Sequence, residues 1–145
     1  MTVYTRLLLV GLLTSLATCR SSPTAPSLSD IQKAEAEWTT HNLTRYAYRY
    51  ETTGGFSTLD GQAIRLVVLG DTVRSAQFVA TNDSVPVAFL PTINTLFTLA
   101  ITRREEGRLV AAQFDSTFGY PARLEFSGPP DASSVIVASD IELLP

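Results

Sequence analysis

The hydrophobic period of this chain switches between that of a helix and that of a strand, in one order used twice. Apolar side chains first recur every three or four positions through Ile31, Ala34 and Trp38, and three segments then alternate with a period of two. The same succession restarts at Thr92. A helix-period pattern does not settle as a strand, nor the reverse. The expected order is therefore helix, three strands, helix, three strands. Strands joined by short turns pair antiparallel, and a helix with one apolar stripe must cover something. The expected fold is α+β with two layers: an antiparallel sheet with two helices packed on one face, a helix plus a three-strand meander repeated twice. The other sheet face should meet water.

Local signals place the elements. Ser29-Asp30-Ile31-Gln32 reads as a capping box, opening a helix that runs to about His41-Asn42. In Arg45–Glu51, Tyr46, Tyr48 and Tyr50 share one face, and Arg45, Arg49 and Glu51 the other. Gly54-Gly55 and Asp60-Gly61 break the chain. Ala63–Leu69 and Thr72–Ala80 read as strands joined by Gly70-Asp71, a type II′ pair with glycine first. That register puts Ile64, Leu66, Val68 and Val73 inward and Arg65 and Arg74 outward. Thr81–Pro91 is a loop. Ile93, Leu96, Phe97, Ala100 and Ile101 form the stripe of the second helix, with Arg103 and Arg104 suited to its C-terminal dipole and Gly107 ending it. Arg108–Phe114, Ala122–Phe126 and Ser134–Leu143 are the last strands, with Gly128-Pro129-Pro130-Asp131 turning the chain before the third.

The front of the chain is of another kind. Arg6 precedes an apolar run, Leu7–Ala17, too short for the roughly 20 residues that span a bilayer. A positive start and a short apolar middle describe a secretory signal. The single cysteine, Cys19, stands where that run ends, and Leu16-Ala17-Thr18-Cys19 resembles the lipobox of bacterial lipoproteins, with Thr18 where a smaller residue is usual. The resemblance implies a signal peptide over residues 1–18, cut before a cysteine that takes a palmitate-type acyl chain. Two other readings stand beside it: an incidental cysteine in a cleaved signal, and an uncleaved anchor. A lone cysteine in an exported chain has no disulfide partner, and its position favours lipidation. The following Arg-Ser-Ser-Pro-Thr-Ala-Pro-Ser lacks large apolar groups and reads as a tether. Residues 19–27 are thus lipidated cysteine and tether, and 28–145 one domain.

Charge narrows the partners. The chain carries a formal −3 at pH 7, and residues 1–18 hold an arginine and no acid, so their removal makes the remainder more acidic by one unit. An acidic chain without a basic patch is a poor nucleic-acid binder. The sole histidine, His41, has no second histidine or downstream cysteine for a zinc site and reads as a helix-end residue. There is no Gly-x-Ser-x-Gly elbow, no phosphate loop and no dinucleotide fingerprint. No cofactor, metal or catalytic residue is expected, and the protein is not expected to be an enzyme.

Trp38, Tyr46-Ala47-Tyr48, Thr92-Ile93-Asn94-Thr95-Leu96-Phe97 and Phe114-Asp115-Ser116-Thr117-Phe118-Gly119-Tyr120-Pro121 together resemble the DUF6174 family, bacterial and mostly lipoprotein domains of unknown function. Phe114 stands where that family has tyrosine, and Gly54-Gly55 replaces a region where many members carry cysteines. The resemblance implies no activity. The repeated helix-plus-meander is also similar in architecture to the beta-lactamase inhibitor protein and to PepSY-type domains, a likeness of fold alone.

The segment Asp115–Pro121 has two readings. As a binding loop it presents Phe118 and Tyr120 to a partner, with Asp115 beside them. As a turn, Asp115 and Ser116 bond nearby amides, Gly119 takes a positive φ, and Pro121 starts the next strand; turn chemistry favours this second reading. The tyrosine row reads as core. The expected function is a lipid-anchored binding or scaffold module of the cell envelope, on the periplasmic side of the outer membrane where two membranes exist. It would be held to the membrane by lipid and would meet an envelope protein. The alternative is an inhibitor- or chaperone-like partner of an exported protein, using the open sheet face.

Overall fold

The structure, a computed structural model, describes residues 25–54, 58–128 and 133–145. The signal segment, Cys19, the tether through residue 24, Gly55 and the Pro129-Pro130-Asp131 turn lie outside the described residues.

Helix α1 spans Leu28–Thr40. Its capping box is set two residues earlier than expected. Ser27 is the N-cap: its Oγ accepts from the Asp30 amide at 3.2 Å, and the Asp30 carboxylate accepts from the Ser27 amide at 2.9 Å. Two serines compete for the cap, and the side chain three positions on decides. A carboxylate accepts more strongly than the Gln32 amide and suits the positive helix end. The Ser27 hydrogen bonds, hydroxyl first and amide second, hold the Asp30 carboxyl below its ordinary range.

The strands are β1 (Arg45–Thr53), β2 (Ile64–Leu69), β3 (Val73–Phe78), β4 (Leu109–Phe114), β5 (Pro121–Ser127) and β6 (Ser133–Leu143), with helix α2 (Ile93–Glu105) between β3 and β4. They form one antiparallel sheet ordered β3-β2-β1-β6-β5-β4. Each helix thus precedes its own meander, and the meanders join along β1–β6. The Gly70-Asp71 hairpin has φ +59° at glycine and no positive φ at Asp71, as glycine first requires, and the Leu69 amide donates to the Thr72 carbonyl at 3.0 Å. One residue on, the pairing slips: Val67 faces Ser75 while Val68 faces Val73. Arg74 is the extra residue of this bulge.

The core follows the alternation. Tyr46, Tyr48 and Tyr50 pair with Val68, Leu66 and Ile64. All six are buried in one cluster with Ile31 and Trp38 of α1 and Ile93, Leu96, Phe97 and Ala100 of α2. The opposite side of the strands carries Arg49–Glu51, Arg65–Glu142 and Arg123–Glu125 ion pairs at 3.6, 2.5 and 2.7 Å. Arg65–Glu142 reaches from β2 across β1 to β6, and Ala47 on that face of β1 is fully buried. Strands β3 and β4 are the sheet edges. The β3 edge is partly covered by its own downstream loop: Ser84 bridges Gln77, and the Val85 amide donates to the Ala76 carbonyl at 2.9 Å.

Candidate interaction surfaces

Four places on the described surface combine unusual geometry with chemical groups. The first is a polar knot where α1, the β2–β3 hairpin and the start of α2 meet. Trp38 Nε1 donates to Asn94 Oδ1 at 2.9 Å, and Asn94 Nδ2 donates to Asp71 Oδ1 at 3.1 Å. Thr92 Oγ1 donates to the same Asp71 oxygen at 2.9 Å and, as N-cap of α2, accepts from the Thr95 amide at 3.2 Å. The Tyr46 hydroxyl accepts from the Ile93 amide at 3.2 Å, and the Tyr48 hydroxyl donates to the Pro91 carbonyl. Amide donors that a helix start leaves open are thereby met, and Asp71 adds a carboxylate where the dipole favours one. Burial pushes Tyr46 up to about 12, against the Ile93 hydrogen bond and with a smaller contribution from Asp71. Burial likewise pushes Tyr48 well above the usual phenol range. Beside the knot lies an open cleft of about 210 Å³ whose lining includes Asn42, Thr44, Asp71 and Asn94. Its groups are committed to holding three elements together, and its aromatic walls, Trp38 and Tyr46, are buried.

The second place is the Asp115–Pro121 segment. Here the turn chemistry holds. Asp115 Oδ1 accepts from the Thr117 and Phe118 amides at 2.9 and 2.7 Å, and the Gly119 amide donates to the Asp115 carbonyl at 3.0 Å. Gly119 has φ +80°, and a Cβ there would lie 2.7 Å from the Ala34 carbonyl oxygen and 2.9 Å from Glu37 Cβ. Exposed aromatic anchors, the premise of the binding-loop expectation, are corrected: Tyr120 is buried, edge-on to Trp38 at 6.3 Å, and Phe118 is half-buried against His41 at 5.1 Å. The close approach of Gly119 to α1 draws both rings inward. His41, the C-cap residue of α1, turns its side chain toward Glu37 and Phe118 rather than toward the helix-end carbonyls.

The third place joins the tether to the domain. Arg104, in the last turn of α2, donates from Nε to the Pro26 carbonyl at 2.6 Å, while Arg103 pairs with Glu106 at 2.8 Å. Dipole complementarity accounted for both arginines in the sequence; the hold on Pro26 had no sequence signal, since it links positions 78 apart.

The fourth was missed altogether. In the Thr81–Pro91 loop, Phe89 is fully exposed and sits at φ +70°. Val87, 39% exposed, lies two residues before it, and the Leu90 amide donates to the Val87 carbonyl at 3.2 Å. The available signal was compositional: Val85-Pro86-Val87-Ala88-Phe89-Leu90-Pro91 carries no polar side chain, which is unusual for a loop.

Among the described residues, no three His, Cys, Asp or Glu side chains gather as metal ligands, and no helix is long and apolar enough to cross a membrane. No curated protein and no solved structure matches the chain. The model of DUF6174, a family of unknown function, matches residues 30–141 and so takes in both helices almost entire and all four motif segments, at Trp38, Tyr46–Tyr48, Thr92–Phe97 and Phe114–Pro121. The chain belongs to the DUF6174 family.

Proposed function

We propose that this protein is a lipid-anchored, non-catalytic binding module of the bacterial cell envelope. The observation that carries the reading is the lone Cys19 at the end of a short apolar run, in Leu16-Ala17-Thr18-Cys19, followed by a Ser/Pro tether. Several acyl chains on one amino-terminal cysteine hold a bilayer firmly where a single chain does so marginally, at about 0.8 kcal/mol per buried methylene. In a cell with two membranes, Arg20 after the cysteine favours the outer one, periplasmic side. The Arg104–Pro26 hydrogen bond supports the reading from the domain's side, because it gives the tether a fixed point of departure.

The body behind the tether is a two-layer α+β unit, with both helices over one sheet face and the other face turned to water. Three arginine–glutamate pairs on the water face are engaged with one another, and the Tyr46 and Tyr48 hydroxyls meet backbone groups of the α2 start. Groups spent on architecture in this way suit a scaffold that presents a surface to an envelope protein. An inhibitor-type contact through the open sheet face would instead use Val67, Val135 and Val137, which stand half-buried in line with those ion pairs.

Intact mass of membrane-extracted protein tests the anchor. The full chain should lose residues 1–18 and gain the mass of acyl chains, and Cys19→Ala should remain unacylated and leave the membrane fraction. Equal partitioning of the two forms would refute the anchor.

A further inference from the structure

Phe89 stands apart from every other large apolar side chain among the described residues. It is 104% exposed, whereas the next most exposed, Leu143, is at 55%. A bulky residue at positive φ costs on the order of 1–3 kcal/mol unless something holds it there. The loop ends do hold it: Val85 is buried and bonded to β3, and Pro91 accepts the buried Tyr48 hydroxyl. Strain and exposed apolar area thus coincide at one ring on a loop fixed at both ends. That is a preorganised anchor, whose immobilisation has been met before any partner arrives.

We propose that Phe89, flanked by Val87, inserts into an apolar pocket of a second protein in the cell envelope. Charge argues for a protein over a lipid surface. From Ser75 to Thr102 the chain has no Lys or Arg, and Asp83 is its sole charge. Loops that dip into bilayers of anionic lipid lean on basic residues. Position argues the same way, in a step that rests on the anchored reading above. The Phe89 loop leads into the first turn of α2, while Arg104 grips the tether in its last turn. At 1.5 Å per residue those ends lie about 20 Å apart, so a bilayer holding Cys19 pulls on the end opposite Phe89. A second copy meeting two-fold through the same loop would set ring against ring rather than ring into pocket, and would bring two Asp83 carboxylates to one contact, where like charges repel. The fitting partner has a pocket deep enough for one aromatic ring and a neutral or basic rim facing Asp83.

The test places a photo-crosslinking phenylalanine at position 89 of the full chain in its native envelope, with the same group at exposed Gln32 as reference. The expected result is one discrete adduct at 89 and none at 32. The purified adduct partner should then bind the purified full chain, with Phe89→Ala weakening it at least tenfold and circular dichroism unchanged. No adduct above the Gln32 reference, or equal affinity of Phe89→Ala, overturns the proposal. So does vesicle binding by the Cys19→Ala chain that Phe89→Ala abolishes, since lipid would then own the ring. A dimer seen by sedimentation and lost in Phe89→Ala overturns it in favour of a second copy. Should Cys19→Ala stay in the membrane while the position 89 adduct persists, the anchor falls and the docking site stands.

Discussion

Two loops of this protein carry aromatic residues, and the fold treats them oppositely. In Asp115–Tyr120 every unusual feature is answered from within. The Asp115 carboxylate takes two amides of its own turn, Gly119 lies against the α1 backbone, and Tyr120 packs on Trp38. In Thr81–Pro91 the ends are answered and the tip is not. Phe89 keeps both a positive φ and a bare ring. A glycine–aromatic motif marks a place where backbones approach closely, which draws aromatic rings into the core. A strained aromatic with no neighbours has no such internal account.

Adding a methyl group is the strongest way to break that contrast. Gly119→Ala meets two penalties together, a positive φ and contacts at 2.7 and 2.9 Å with α1. Gly70→Ala meets the φ penalty alone, since nothing lies within 4 Å of its added carbon. Urea denaturation should show Gly119→Ala losing about 3 kcal/mol or more and Gly70→Ala about 1 kcal/mol. Equal losses would mean that α1 gives way freely and that the first loop is no more packed than a hairpin.

Alkaline pH sharpens the comparison at a somewhat smaller scale. Burial, followed by the charges of Asp115 and Asp140, raises Tyr120, and burial raises Tyr46 to about 12. Both rings touch Trp38, whereas the Thr81–Pro91 loop has no tyrosine. A phenol whose folded pKa is raised favours the neutral form in the fold. Its contribution is intact below the unfolded value near 10 and falls away as pH rises through the folded value. For Tyr46 this is about 3 kcal/mol lost between pH 10 and 12, at roughly 1.4 kcal/mol per unit. Tyr46→Phe should start less stable, having lost the acceptor for the Ile93 amide, and show a flatter stability profile above pH 10. An unchanged slope would place the alkaline loss elsewhere.

The legible parts of this fold are those governed by periodicity and local chemistry. Alternation gave the tyrosine face of β1, and the 3.6 period gave Ile93, Leu96, Phe97 and Ala100 of α2, all buried. Glycine-first placed the hairpin at Gly70. Long-range partners were not legible. Nothing near Asp71 signals Thr92 and Asn94, 21 and 23 residues away, and nothing near Arg104 signals Pro26. The Ser27 cap was missed because Ser29 offers the same local pattern and a carboxylate–amide difference decides between them. Phe118 and Tyr120 were legible as aromatic but not as buried, because their burial depends on where α1 passes. Phe89 was overlooked for the converse reason: patterns report what a chain packs, and this ring packs nothing.

The smallest expected effect is also the most pointed, because its sign opposes that of nearly every aromatic substitution in a folded domain. Phe89→Asn replaces the ring with a residue that tolerates the left-handed region and removes no internal contact. It should stabilise the protein by about 0.5–1 kcal/mol, the relief of φ strain. Phe118→Asn, made in the other loop, takes a half-buried ring from against His41 and should destabilise by about 1–2 kcal/mol. Thermal melts of the two variants beside the parent measure the difference directly. A clear loss of stability in Phe89→Asn would show that the ring supports its own fold, and the reason to look for a partner at that position would go with it. A gain in stability would mean instead that the parent keeps a ring its own fold does better without, as expected of a surface whose use lies outside the chain.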